Sequence, residues 1–184
     1  LEENRDRLWV TVGKNTSLNF IKEVYNSGCE NILLDIASGY LTKIIDEFFD
    51  KLKVCPFKRV GVGNIQDSSI LRYYHSKLEE NPLIKELYVR CGIGGGNLCL
   101  STPNTGYGRG SITEIDECSS WAEFTKDNEQ KIFILADGGI NISGKAVKAF
   151  GAGADCIMTA SYWKNCKDAE THILNEHTAY GGAS

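Results

Sequence analysis

No run of uncharged apolar residues in this chain of 184 residues approaches the length of a membrane-spanning helix, and no signal-peptide pattern opens it. A cytoplasmic protein is therefore the simplest expectation, with no membrane partner. Disulfide or zinc frameworks are equally poorly supported. The seven cysteines (Cys29, Cys55, Cys91, Cys99, Cys118, Cys156 and Cys166) are odd in number and scattered without C-x-x-C spacing. Most are expected to behave as small buried hydrophobes. His75, His172 and His177 show no metal-ligand spacing and are expected to be solvated. A basic stripe is missing too, and the formal net charge is -4, which argues against a nucleic-acid surface but not against a nucleotide pocket with local positive potential.

What the chain does contain is an alternation of short apolar runs with amphipathic segments. Leu8 to Val12 reads as a buried strand, followed by a capping turn from Gly13 to Ser17 and a helix marked by Phe20, Ile21, Val24 and Tyr25. Asn31 to Ile36 is a second strand. Leu41, Ile44, Ile45, Phe48, Phe49 and Leu52 then fall on one helical face. Arg59 to Asn64, Leu87 to Arg90, Lys131 to Ala136 and Cys156 to Ala160 complete six strands. Helices are expected from Ser68 to Glu80, around Ile112, Ile115 and Trp121, and from Gly144 to Phe150 with Ser143 as cap. Nearly continuous apolar strands alternating with helices predict an α/β fold whose parallel sheet is covered on both faces, either an open doubly wound sheet or a barrel of eight β/α units. In both, ligand-binding loops lie beyond the carboxyl ends of the strands. Asp35, Asn64, Cys99, Asp137 and Ser161 all fall at or just after strand ends, so they are expected to converge on one rim.

The segment from Cys91 to Gly108, C-G-I-G-G-G-N-L-C-L-S-T-P-N-T-G-Y-G, is the most informative stretch. Gly92, Gly94, Gly95 and Gly96 let the backbone bring bare carbonyls and amides close to a ligand. Cys99 lies between that turn and a second one bounded by Gly106 and Gly108, where a nucleophilic thiol would sit at the mouth of a fold. Gly92 to Gly108 resembles, without a gap, the catalytic loop of the IMP dehydrogenase and GMP reductase family, G-[IV]-G-P-G-S-x-C-x-T-x-x-x-T-G-x-G. Gly95, Asn97 and Ser101 stand in place of its proline, serine and threonine, while Cys99 and Thr105 are kept.

The resemblance covers nearly the whole chain and implies a (β/α)8 TIM barrel, with the six visible units as the third to eighth, in a single domain over residues 1–184 that is incomplete at both ends. It implies that Cys99 attacks C2 of a purine nucleotide to give a covalent thioimidate. Ser101, in place of the family threonine, either relays a proton or merely solvates the turn. Substrate contacts are implied for Asn97, for Asp137, Gly138 and Gly139 in a D-G-G loop, for Ala160 and Ser161 at the phosphate corner, and for Tyr180, Gly181 and Gly182. The last three belong to a Y-G-G-A-S similar to the Y-G-M-S-S of GMP reductases, one residue short of the family's catalytic glutamate. Cofactor contacts are implied for Asp35, Ile36, Ala37, Gly39, Asn64, Ile93 and Gly94, and a K+ ion for the carbonyls of Gly94, Gly96 and Cys99.

Asp35-Ile-Ala-Ser-Gly-Tyr40 and Glu117-Cys118 are more similar to the reductase branch. That branch implies NADPH-dependent conversion of GMP to IMP and ammonia by a homotetramer. Two alternatives stay open. One is an IMP dehydrogenase, although its Arg-Tyr flap dipeptide is absent between Ser161 and Ser184. The other is a non-catalytic purine-nucleotide-binding homologue.

Overall fold

The computed structural model describes residues 6–96, 99, 103–104, 106, 108–160 and 162–163. Six parallel strands form one sheet: β1 (Trp9–Val12), β2 (Asn31–Leu34), β3 (Arg59–Ile65), β4 (Glu86–Cys91), β5 (Lys131–Asp137) and β6 (Cys156–Met158). Their spatial order is their sequence order. A doubly wound sheet reverses its strand order at a switch point; this one never does. The architecture is that of a (β/α)8 barrel, of which six consecutive units are seen.

The curl of the sheet is visible in its side chains. β1 and β4 are three strand spacings apart, roughly 14 Å in a flat sheet. Yet the rings of Trp9 and Tyr88 meet edge to face with centroids 5.1 Å apart, and Tyr88 stacks on Phe133 at 5.0 Å. These residues line the concave face. Glycine makes room for them: a Cβ on Gly61 of β3 would lie 2.3 Å from Leu33 Cδ1 and 3.3 Å from the Trp9 ring.

The convex face carries Ile32, Leu34, Val60, Val62, Leu87, Val89, Ile132 and Ile134, all buried beneath helices. Each such side chain is worth about 1.5–3 kcal/mol when withdrawn from water. Ser17 caps α1 (Leu18–Asn26) by accepting from the Phe20 amide at 3.2 Å. α2 (Thr42–Leu52) buries Ile45, Phe48, Phe49 and Leu52, the stripe its periodicity predicts, while Leu41 stays outside as an exposed N-cap.

Elsewhere the boundaries shift. The helix expected from Ser68 begins as a 3-10 turn, Ser68–Ile70, because Asp67 accepts from the Ser69 amide, and only then becomes α3 (Leu71–Glu79). α4 is Ser111–Ala122 and α5 is Ser143–Gly151. Ser143 does not cap α5. It is the first helical residue, its hydroxyl bonded to that of Tyr162, and extended Ile142 occupies the N-cap. Among the described residues no helix is long and apolar enough to cross a membrane.

Candidate active site

The carboxyl ends of β2 to β5 hold four polar side chains in one connected cluster. Arg90, on the concave face of β4, has only 10% of its side chain exposed. Its Nη1 donates to Asp35 Oδ1 at 2.7 Å, just past β2. Its Nη2 and Nε both donate to Asp137 Oδ2, at 2.7 and 3.2 Å, at the end of β5. Asn64 of β3 adds a third donor to that same oxygen at 2.7 Å, and its amide also donates to the Gly92 carbonyl at 2.8 Å. Burial alone would weaken the charged guanidinium, but Asp137 and Asp35 more than offset it, so Arg90 is held above its usual pKa.

This cluster depends on a second glycine. Gly63 pairs with Arg90 in the register of β3 and β4, and a Cβ there would lie 2.7 Å from the Arg90 Cβ. With hydrogen in its place, the guanidinium spans from Asp35 to Asp137.

The glycine turn after β4 is packed onto the Asp137-Gly138-Gly139 loop at backbone distance. A Cβ on Gly92 would stand 2.0 Å from the Asp137 carbonyl, one on Gly138 would stand 2.9 Å from the Gly96 amide, and one on Gly139 would stand 2.7 Å from the Gly95 carbonyl. All three take positive φ, open to glycine alone at no steric cost. Gln66, itself buried, holds the turn from behind by donating to the Ile93 carbonyl at 3.3 Å. Gly94 (φ 78°) and Gly96 lead to Cys99, whose amide donates to the Gly96 carbonyl at 3.0 Å. Cys99 is half-buried.

The other residues expected at the site lie around this centre. Ile36 exchanges backbone hydrogen bonds with Gly63 and Asn64, and the Gly39 amide donates to the Asn64 carbonyl at 2.7 Å. Gly39 is buried, its own carbonyl accepting from the Tyr74 hydroxyl at 2.7 Å; Ala37 faces solvent. Ala160 is exposed beyond β6, and Thr159 beside it donates to the Ile140 carbonyl at 2.6 Å, tying the two last loops together. Asn97, Ser101, Ser161, Tyr180, Gly181 and Gly182 lie outside the described residues.

Arg90 and Glu114 escaped sequence reasoning, as did the contacts of Glu117 and of the Cys91–Cys118 pair. Arg90 looks there like an ordinary polar strand end; its only signal is a charge at the end of an otherwise apolar run beside a strand reading V-G-V-G. Glu117 joins α4 to the β3–α3 loop, accepting from the Ser68 amide and hydroxyl and pairing with Arg109 at 2.6 Å. The Ser68 amide first, then Arg109, hold its carboxyl below the usual range. Glu114 is buried, its Oε1 has no partner among the described residues, and burial pushes its pKa up to about 7. Cys91 and Cys118 meet beneath the loop, and their mutual hydrogen bond together with burial raises the Cys91 thiol well above its ordinary value. Cys91 is thus a core thiol, unlike Cys99.

Beside the interlocked loops opens a cleft of about 390 Å3, walled by Gly95, Gly138 and Gly139, the start of α4 at Ser111, and Lys145 and Lys148 of α5. Lys145 reaches the Gly139 carbonyl at 2.9 Å.

A parallel barrel with its polar cluster and glycine loops at the carboxyl rim places this chain among β/α barrel proteins of the ligand-binding kind. More narrowly, the chain belongs to the IMP dehydrogenase / GMP reductase domain family, whose model matches residues 2–181. It is 30% identical over 145 residues to a GMP reductase of Edwardsiella ictaluri, covering 79% of this chain and 38% of that protein. To a GMP reductase of Yersinia enterocolitica it is 27% identical over 146 residues, covering 79% and 39%. Among solved structures, an IMP dehydrogenase from Legionella pneumophila superposes with a TM-score of 0.67 at 25% identity, covering 86% of this chain and 47% of that one. A GMP reductase from Trypanosoma brucei gives 0.65 at 23%, covering 82% and 32%. The chain therefore spans less than half the length of these relatives.

Proposed function

We propose that this chain carries the nucleotide-converting site of a GMP reductase, acting in the cytoplasm as a homotetramer built from single barrel domains. The observation that carries this reading is the interlocking of the Cys99 loop with the Asp137-Gly138-Gly139 loop. A nucleophilic thiol and a carboxylate able to accept ribose hydroxyls stand on two turns that cannot move independently.

In this reading the Cys99 thiolate adds to C2 of the guanine base, and the 2-amino group leaves as ammonia once protonated, with Ser101 as the hydroxyl nearest in sequence to serve the proton transfer. Gly139 and Ser161 offer amides to the phosphate, and Lys145 and Lys148 give the adjoining cleft its positive potential. Asn97 and the Tyr180-Gly181-Gly182 segment are assigned to the base.

NADPH would supply the hydride that ends at C2. The carboxylate of Asp35 fits a ribose hydroxyl of that cofactor, since Arg90 engages one of its oxygens while about half of its side chain remains exposed. Ile36, Ala37, Gly39, Asn64, Ile93 and Gly94 would form the surrounding wall. K+ fits the carbonyls of Gly94, Gly96 and Cys99: the Gly96 oxygen accepts one amide, from Cys99, and a carbonyl has two lone pairs.

The net reaction is GMP, NADPH and a proton to IMP, NADP+ and ammonia. Loss of absorbance at 340 nm on mixing the protein with GMP and NADPH tests it. GMP binding without turnover would instead favour a nucleotide-binding homologue, and NADH formation from IMP and NAD+ a dehydrogenase.

A further inference from the structure

We infer that Arg90 is a positioning residue that sets the discrimination between ribose and 2′-deoxyribose, an inference that rests on Asp137 being the acceptor of the nucleotide's sugar hydroxyls. The geometry is unusual for an arginine facing a carboxylate. A guanidinium commonly engages both oxygens with two parallel bonds. Here Nη2 and Nε converge on Oδ2 alone, and Asn64 donates to that oxygen as well.

Three donors saturate Oδ2. Among the described residues Oδ1 accepts from none, and Asp137 keeps 16% of its side chain exposed. The carboxylate is therefore clamped by one end and presents the other.

The clamp is itself braced. Nη1 is committed to Asp35 on the far side of β3, and Gly63 leaves the space through which the guanidinium reaches it. Arg90 cannot rotate to chelate both oxygens of Asp137 without giving up Asp35. A single oriented oxygen can take hydrogen bonds from two vicinal hydroxyls at once. A 2′-deoxy sugar offers one of them and leaves part of the oxygen's capacity unused.

The purified intact protein would be titrated calorimetrically with GMP and with 2′-deoxy-GMP. The native protein is expected to favour GMP by roughly tenfold or more, the cost of one unmade hydrogen bond to a charged acceptor. Arg90→Lys keeps the charge but not the fork, and is expected to narrow that ratio to about threefold or less while weakening GMP binding. Should that variant not fold, Asn64→Ala removes one of the three donors and is expected to narrow the ratio part of the way. An unchanged ratio in whichever variant folds would overturn the role of Arg90. Equal affinity of the native protein for both nucleotides would overturn the sugar contact on which it depends. Absence of GMP binding in the native protein would instead sink the functional reading as a whole.

Discussion

The α-carbon of Gly92 approaches the main chain of Asp137 so closely that an added Cβ would stand 2.0 Å from its carbonyl oxygen. That contact welds the turn bearing Cys99 to the loop bearing Asp137, and it holds only while position 92 has no side chain. Gly92→Ala is expected to cost at least about 2 kcal/mol, from a backbone clash added to a φ of 131°. Urea denaturation measures the loss, and nucleotide affinity should fall with it; an alanine variant of native stability and affinity would show that the loops are not joined there.

Thiol chemistry should separate the cysteines. Cys91 and Cys118 are buried, and their hydrogen bond keeps Cys91 protonated, whereas Cys99 is half-buried on the rim. Iodoacetamide on the folded protein is expected to label Cys99, to spare Cys91 and Cys118, and to be slowed at Cys99 by saturating GMP. Mass spectrometry of the digested protein reads this directly, and labelling indifferent to GMP would count against a thiol over the purine.

Glu114 should make stability depend on pH. Its folded pKa, raised to about 7 chiefly by burial with Asp67 adding and Arg109 opposing, exceeds that of the unfolded chain. Between about pH 4.5 and 7 the folded protein holds a proton that the unfolded chain releases, so this group's contribution falls as pH rises and stays at its lowest above 7. Replacement by an amide removes the dependence. Glu114→Gln is expected to be nearly neutral at pH 5 and stabilising by up to about 3 kcal/mol at pH 8. Equal effects at both values in urea titrations would contradict this.

The Tyr74 hydroxyl, fully buried, donates to the Gly39 carbonyl at 2.7 Å and so anchors the loop that carries Asp35 to Ala37. Tyr74→Phe leaves that carbonyl unsatisfied at a cost of about 1–2 kcal/mol. Hydrogen exchange should quicken in residues 36–39 more than in the sheet; uniform protection would argue that the loop is held by its backbone bonds alone.

How much of this was readable in the chain varies with the kind of force involved. Periodicity located the buried face of α2 and all six strands, because burial of Ile45, Phe48, Phe49 and Leu52 is a local consequence of spacing. The choice between an open sheet and a barrel was not local. Periodicity left it open, the resemblance of the Gly92–Gly108 loop implied the barrel, and the strand order and the meeting of Trp9 with Tyr88 across three strands bear that out. Glycine-rich loops and strand-end polar residues marked the rim, but their pairing was out of reach. Nothing near Arg90 in sequence names Asp35 or Asp137, which lie 55 and 47 positions away. Ser143 misled for the opposite reason: a serine before a helical pattern reads as a cap, and only the extended backbone of Ile142 shows that the helix starts one residue earlier than a cap at Ser143 would require.

β3 turns two bare methylenes, Gly61 and Gly63, toward the barrel interior, with aromatic rings passing over one and a guanidinium over the other. The middle of this sheet is thus a gangway kept clear of cargo. Its value lies in what crosses it: a side chain planted at position 63 would press on the Arg90 main chain and part the guanidinium's bridge from Asp35 to Asp137.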